Sequence, residues 1–161
     1  MDQLWAPWRL AYVAKEGPAP ADDACFICRG LAESDDRKNL LVQRRPRCVV
    51  LLNKFPYNNG HLLVAPLRHI GRLDELTADE LLEINETVRD MAGTLERLMK
   101  AEGFNVGVNL GRVAGAGLPA HIHWHIVPRW NGDTNFMPIL GDVKVIVQSL
   151  DALYDLLHAA G

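Results

Sequence analysis

Three histidines fall at alternate positions within five residues, His121-Ile122-His123-Trp124-His125. On a strand, successive side chains point to opposite faces, so the three imidazoles share one face. Ile122, Trp124 and Ile126 share the other and can bury themselves. One histidine is an ordinary structural residue, but three at period two ask for a chemical reason. An imidazole with an unperturbed pKa of about 6.5 suits proton transfer and nucleophilic attack. Two chemistries fit the row. His-x-His on a strand is a good pair of metal ligands, and an imidazole can attack phosphorus to form a covalent intermediate. The preceding loop carries Gly111, Gly115 and Gly117. Such a loop lets backbone approach a ligand closely and can offer N–H groups to phosphate oxygens. Ordinary turns also use glycine. Joined to the histidine row, the loop points to an anionic phosphate beside a nucleophile.

A second constellation is Cys25-Phe26-Ile27-Cys28. Thiolates at this spacing are a common half of a tetrahedral zinc site. Two further ligands are needed, and His69 and one histidine of the row are available. A redox role fits less well, because no thioredoxin-like βαβ pattern surrounds the pair. Two unlinked thiols are the plain third reading. Residues 1–10 hold Trp5 and Trp8 and no cationic start leading into an apolar stretch. No secretory signal is expected, so the compartment is cytoplasmic and reducing, and a structural disulfide fits poorly. Cys48 lies in an apolar run and reads as core. His158 sits in a helical pattern and needs no special role.

Several elements must position these groups. Residues 1–24, punctuated by Pro7, Gly17, Pro18 and Pro20, read as an irregular arm. A short helix is expected after Cys28. Residues 49–53 and 61–66 read as paired strands around a turn at 55–60, where Asn59-Gly60 supplies tight geometry. Thr77 and Glu80 form a capping-box pattern. Behind them Leu81, Ile84, Val88, Met91, Leu95 and Leu98 repeat at three and four, predicting a helix to about Ala101 with Gly103 just past its end. Residues 104–109 are expected as a strand, 110–119 as a loop, 121–127 as a strand closed by Pro128, and 143–147 as a last strand. Leu150, Leu153, Tyr154 and Leu157 mark a short C-terminal helix. The mixture lacks strict βαβ alternation, which favours an antiparallel α+β domain.

The chain has 161 residues, 48% apolar and 23% charged, close to globular averages. That is one domain's worth, able to bury a core without disulfides. No apolar run approaches the roughly 18 residues of a membrane span. A net charge of −3 argues against a broad surface for coating nucleic acid.

With two apolar residues after it, His121-Ile122-His123-Trp124-His125-Ile126-Val127 resembles the signature of the histidine triad (HIT) superfamily of nucleotide hydrolases and transferases. Residues 52–64, Leu-Asn-Lys-Phe-Pro-Tyr-Asn-Asn-Gly-His-Leu-Leu-Val, resemble the strand–turn–strand of that family's nucleoside pocket. Pro128-Arg129-Trp130 with Gly132-Asp133-Thr134-Asn135-Phe136 resembles the branch holding the fragile-histidine-triad protein and bacterial diadenosine tetraphosphate phosphorylases. The likeness runs over nearly the whole chain, from Leu4-Trp5 to the last helix. It implies one HIT domain over 1–161, with an antiparallel sheet of about five strands, one long helix, a short C-terminal helix, and assembly as a homodimer.

The resemblance also implies roles. His123, the middle of the triad, would be the nucleophile on the α-phosphorus of a dinucleoside polyphosphate, forming a nucleotidyl-histidine that water or phosphate releases. A nucleoside phosphoramidase and a sugar-1-phosphate nucleotidylyltransferase share that chemistry. A non-catalytic nucleotide sensor is the reading from another class. His125 would contact the reacting phosphate or leaving group, and His61 would support the nucleophile. Asn53 would contact ribose and Asn109 the phosphate region. Leu51 and Leu63, with Phe26 or Ile27, would wall the base, and Gly115 and Gly117 would cradle phosphate. Cys25, Cys28, His69 and His121 would hold a structural zinc ion, with His121 reaching sideways to the N-terminal arm. Many relatives carry Ser, Thr or Gln just before the triad. This chain has Gly115-Ala116-Gly117-Leu118-Pro119 there, so Arg112 and Lys54 are candidates to compensate.

Overall fold

The computed structural model describes residues 25–134 and 146–160. The arm expected over 1–24, Asn135-Phe136 and residues 143–145 of the expected last strand lie outside them. Helix α1 (Phe26–Ala32) starts earlier than expected, with Cys25 as its N-cap and Cys28 inside its first turn. The sheet contains β1 (Leu41–Arg44), β2 (Cys48–Leu52), β3 (Leu62–Pro66), β4 (Gly103–Val108) and β5 (Trp124–Arg129). Its order is β1-β2-β3-β5-β4, antiparallel throughout. Among the described residues the sheet has five strands, four of them near expected places. The fifth is β1, and Ile146 and Val147 lie outside any strand.

The expected hairpin pairs Leu52 with Leu62 and Val50 with Val64. Every residue of β2 and β3 is buried, because both sheet faces are covered. One face, with Val50, Leu52, Leu62, Val64, Trp124 and Ile126, packs on helices α2 (Ala78–Met99) and α3 (Leu150–His158) through Ile84, Leu95, Leu153 and Leu157. Each such leucine or isoleucine contributes about 1.5–3 kcal/mol by leaving water. The other face, with Leu41, Val49, Leu51, Leu63 and Ala65, meets Ile27 of α1 and Leu118 of the loop before β5.

Thr77 and Glu80 form the expected capping box at the start of α2. The stop differs. Lys100, not Gly103, adopts the left-handed conformation at φ 56°, and Gly103 opens β4. Gly60 is required in its turn. Its φ is +77°, and a Cβ there would meet Met99 Sδ and Pro128 Cγ, each at 3.0 Å. The triad strand is also shifted from 121–127. Its ladder begins at Trp124 and runs through Pro128, opposite Phe104, to Arg129. His121 and His123 occupy the irregular lead-in, and His125 is paired with Leu63 and Gly107. No helix of the described residues is long and apolar enough to cross a membrane.

Candidate functional site

The triad does not converge on one point. His121 turns to the cysteines, and His123 and His125 line an open cleft of about 830 Å³ with Phe26, Asn53, Phe55, Tyr57, Leu63, Gly115, Gly117 and Leu118. This division of labour overturns the alternative in which all three imidazoles ligate one metal.

Hydrogen-bond partners fix the tautomers. His123 Nδ1 lies 2.8 Å from the carbonyl oxygen of His121. A carbonyl only accepts, so Nδ1 carries the proton and Nε2 keeps its lone pair. Burial depresses the His123 pKa, which keeps the imidazole neutral near pH 7. The result is a neutral imidazole of one defined tautomer lining the cleft. His61, on the turn before β3, is buried at 1% exposure. Its Nδ1 accepts the Tyr57 N–H at 3.0 Å, so its Nε2 carries the proton. That Nε2 donates to His125 Nδ1 at 2.9 Å. Neutral His125 therefore holds its proton on Nε2, a buried atom with no partner among the described residues. Burial, with a smaller contribution from His123, holds the His125 pKa down to about 4. Tyr57 lies on this pair, its ring stacked on His125 with centroids 5.6 Å apart and tilted against His61 at 4.6 Å.

The remaining predicted residues divide. Asn53 lines the cleft, its Nδ2 3.2 Å from His61 Nδ1 and its Oδ1 accepting the Phe55 N–H. Leu63 lines the cleft. Leu51 lies under a neighbouring cavity of about 250 Å³ that shares Phe26, Asn53 and Phe55 with it. Of the two aromatic or branched candidates in α1, Phe26 is exposed to the cleft and Ile27 is wholly buried. Asn109 is half-buried beyond β4 and is not part of the cleft lining. The β4–β5 register, Val108 opposite Trp124, brings it level with His123. Gly115 and Gly117 both line the cleft. The Gly115 N–H is spent on the Arg112 carbonyl, and the Gly117 N–H bonds no backbone carbonyl among the described residues. Arg112 and Lys54 lie outside the cleft lining. Sequence reading missed Tyr57. Its acting group is a backbone N–H, which any residue type supplies, and only the aromatic ring four residues before His61 was a clue.

The second cluster forms as expected. One ligand atom from each of Cys25, Cys28, His69 and His121 lies within 4.8 Å of the others. Capping by Cys25 turns both thiols to one side of the start of α1, with the Cys28 N–H donating to Cys25 Sγ at 3.4 Å. His121 Nδ1 is 3.3 Å from Cys25 Sγ and 3.5 Å from Cys28 Sγ, and His69 Nδ1 is 3.2 Å from Cys28 Sγ. A tetrahedral metal about 2.3 Å from sulfur and about 2.0 Å from nitrogen separates the two by about 3.5 Å. The His121 Nε2 donates to the Pro66 carbonyl at 2.9 Å, so its Nδ1 lone pair faces the thiols. Such an outer carbonyl partner is the usual support of a metal-binding imidazole. Burial holds the His121 pKa down to about 4, so the ring is neutral and able to ligate.

A family model described as the HIT domain matches residues 35–132, well over half of the sequence. The chain belongs to the histidine triad family. This HIT protein is 37% identical over 154 residues to AP-4-A phosphorylase of Mycobacterium tuberculosis, across 93% of this chain and 79% of that one. It is 38% identical over 82 residues to the asymmetrical bis(5'-nucleosyl)-tetraphosphatase of Schizosaccharomyces pombe, across 51% of this chain and 44% of that protein. Its fold matches the crystal structure of a hypothetical histidine triad nucleotide-binding protein from Sulfolobus tokodaii. The TM-score is 0.67 at 26% identity, covering 84% of this chain and 91% of that one.

Proposed function

We propose that this HIT protein cleaves dinucleoside polyphosphates, such as diadenosine tetraphosphate, by nucleotidyl transfer through His123. The observation that carries the reading is the 2.8 Å bond from His123 Nδ1 to the His121 carbonyl. It leaves the Nε2 lone pair as the reactive atom at the cleft. The relatives named as a phosphorylase and a tetraphosphatase of such substrates support the substrate class. Nε2 attacks the α-phosphorus. The bond from phosphorus to the bridging oxygen breaks, and ATP leaves from diadenosine tetraphosphate. His125 donates its Nε2–H to the reacting phosphate or the departing oxygen. Phosphate or water then attacks the nucleotidyl-histidine from the opposite side, releasing ADP or AMP and restoring the imidazole. Dividing the transfer into two displacements is the benefit of a covalent nucleophile.

Asn53 contacts the ribose, Phe26, Leu51 and Leu63 wall the base, and Gly117 with Asn109 serves the phosphates. Cys25, Cys28, His69 and His121 hold a structural zinc ion, for which the tautomer of His121 and the sulfur–nitrogen separations both suit. The bound metal would tie α1 to the lead-in of β5. A second copy of this chain pairs along β4, one of the two edge strands among the described residues, where Asn105, Val106 and Gly107 are exposed.

His123→Ala tests the mechanism. It should abolish both turnover of diadenosine tetraphosphate and trapping of labelled nucleotide on the protein, and retained turnover would overturn the covalent route. Products with and without inorganic phosphate identify the acceptor. ADP formed only with phosphate marks phosphorolysis, and AMP in its absence marks hydrolysis.

A further inference from the structure

Outside the cleft, the Asp133 carboxylate is nearly buried and saturated with donors. The Asp133 side chain is 9% exposed. It accepts from Arg129 Nε at 2.6 Å and Nη2 at 2.7 Å, from the Trp130 N–H at 3.2 Å and from the Thr134 hydroxyl at 3.1 Å. A fifth donor comes from a distant part of the chain, Asn58 Nδ2 at 2.9 Å. Arg129 extends the tie to β4, its Nη1 donating to Asn105 Oδ1 at 2.8 Å. A buried anion needs such compensation, and charge-assisted bonds hold geometry more firmly than neutral ones.

Asn58 carries the consequence into the site. Its amide divides its two N–H groups between Asp133 and the Pro128 carbonyl, the latter at 3.1 Å. Its own backbone carbonyl accepts the His61 N–H at 3.2 Å. The residue before it is Tyr57, whose N–H sets the tautomer of His61 and whose ring lies on His125. Asn58 is thus the point where the turn bearing Tyr57 and His61 is fastened to the far end of the strand bearing His125. Both sides of the His61–His125 bond are referred to one rigid anchor.

We infer that Asp133, acting through Asn58, is a positioning residue for the His61–His125 pair and so for the proton that His125 presents to the substrate. The inference rests on the proposed nucleotidyl transfer for its effect on rate. The ordering of the two imidazoles can be observed without any substrate. A bare turn brace would hold the turn's stability and leave the tautomers alone.

The variants are Asn58→Ala, which leaves the Asp133–Arg129 pair intact, and Asp133→Asn, which removes the charge. Thr134→Val, which removes the donor to the other oxygen of Asp133 and leaves the Asn58 bond in place, is the control. Long-range nitrogen–proton correlation spectra of the imidazoles, recorded on the full chain, read the tautomers. Wild type and Thr134→Val should show single Nε2–H tautomers for His61 and His125. Asn58→Ala and Asp133→Asn should show mixtures for His61. With diadenosine tetraphosphate, kcat should fall about tenfold and KM change less than about twofold, as expected when an interaction made in the transition state is lost. Wild-type tautomers, or an unchanged kcat, in folded variants overturn the inference. If one variant fails to fold, the other decides. If the wild-type protein does not turn over the substrate, the proposed function fails and the spectra alone decide the positioning role.

Discussion

Acid should destabilise this protein through His125 by an amount that can be worked out. Burial lowers its pKa from 6.5 to about 4 in the folded chain. Below 6.5 the unfolded chain takes up the proton first, so it binds more protons than the native state. Stability then rises with pH across the window from about 4 to 6.5 and is fully present above it. Between about pH 7.5 and pH 5 these two values correspond to a loss of about 2 kcal/mol at full strength. His125 is partly open to the cleft, and solvent screening reduces the expected loss to about 1 kcal/mol. His121 and His123 push in the same direction, so the absolute slope is not diagnostic. The difference from His125→Gln is. Urea unfolding at the two pH values should show wild type losing about 1 kcal/mol more than the variant. Equal losses would refute the assignment of His125 as a histidine held neutral by burial, and with it the tautomer chain from Tyr57.

The proposed zinc site predicts that Cys28→Ser lowers the zinc content found by metal analysis of the purified protein. With free metal about a thousandfold above Kd it should cost about 4 kcal/mol of unfolding free energy; full metal content in the variant would count against the four-ligand assignment. Glu80, held by Arg68 and by Thr77, has its pKa lowered from 4.5 to about 2. Its contribution is present above 4.5 and lost as pH falls toward 2, and Glu80→Gln should cost at most about 3 kcal/mol at neutral pH in thermal or urea unfolding. The proposed pairing along β4 predicts a dimer in sedimentation that Val106→Lys, at the exposed centre of that strand, converts to a monomer, and a dimer unchanged by the substitution would move the interface elsewhere.

The elements that read correctly from sequence carried local signals. Asn59-Gly60 between two apolar runs located the β2–β3 turn, and the Thr77–Glu80 box located the start of α2. The strand β1 escaped because Leu41-Val42-Gln43-Arg44 is short, lacks alternation and follows a polar stretch. The start of β5 was placed early for a different reason. Histidine alternation reports which way side chains face, and it says nothing about whether the backbone is hydrogen-bonded to a neighbour. The stop of α2 was misplaced because Gly103 is a natural terminator, yet the chain turned sooner at Lys100 to feed β4. In the site, Cys25 and Cys28 announced themselves by spacing. His69 and His121 lie far from them in sequence; the residues alone offered His69 and one histidine of the row, and the family resemblance singled out His121. The Tyr57 N–H and the His121 carbonyl are backbone groups, and no residue type encodes them.

The lead-in of β5 has one more consequence. In a regular pleated strand the carbonyls lie in the plane of the sheet, pointing at neighbouring strands, and the side chains stand away from it. A histidine two places along such a strand cannot readily reach the carbonyl behind it. His123 reaches the His121 carbonyl on a stretch where the ladder has not yet begun. The fixed tautomer of His123 is therefore made by irregularity. Transplanting His-x-His-x-His onto a well-formed strand of another protein would reproduce the spacing and lose the lock on the proton. A designer copying this site should graft the irregular approach to the strand, held by the Ile122 N–H on the Ile70 carbonyl at 2.7 Å, along with the three side chains.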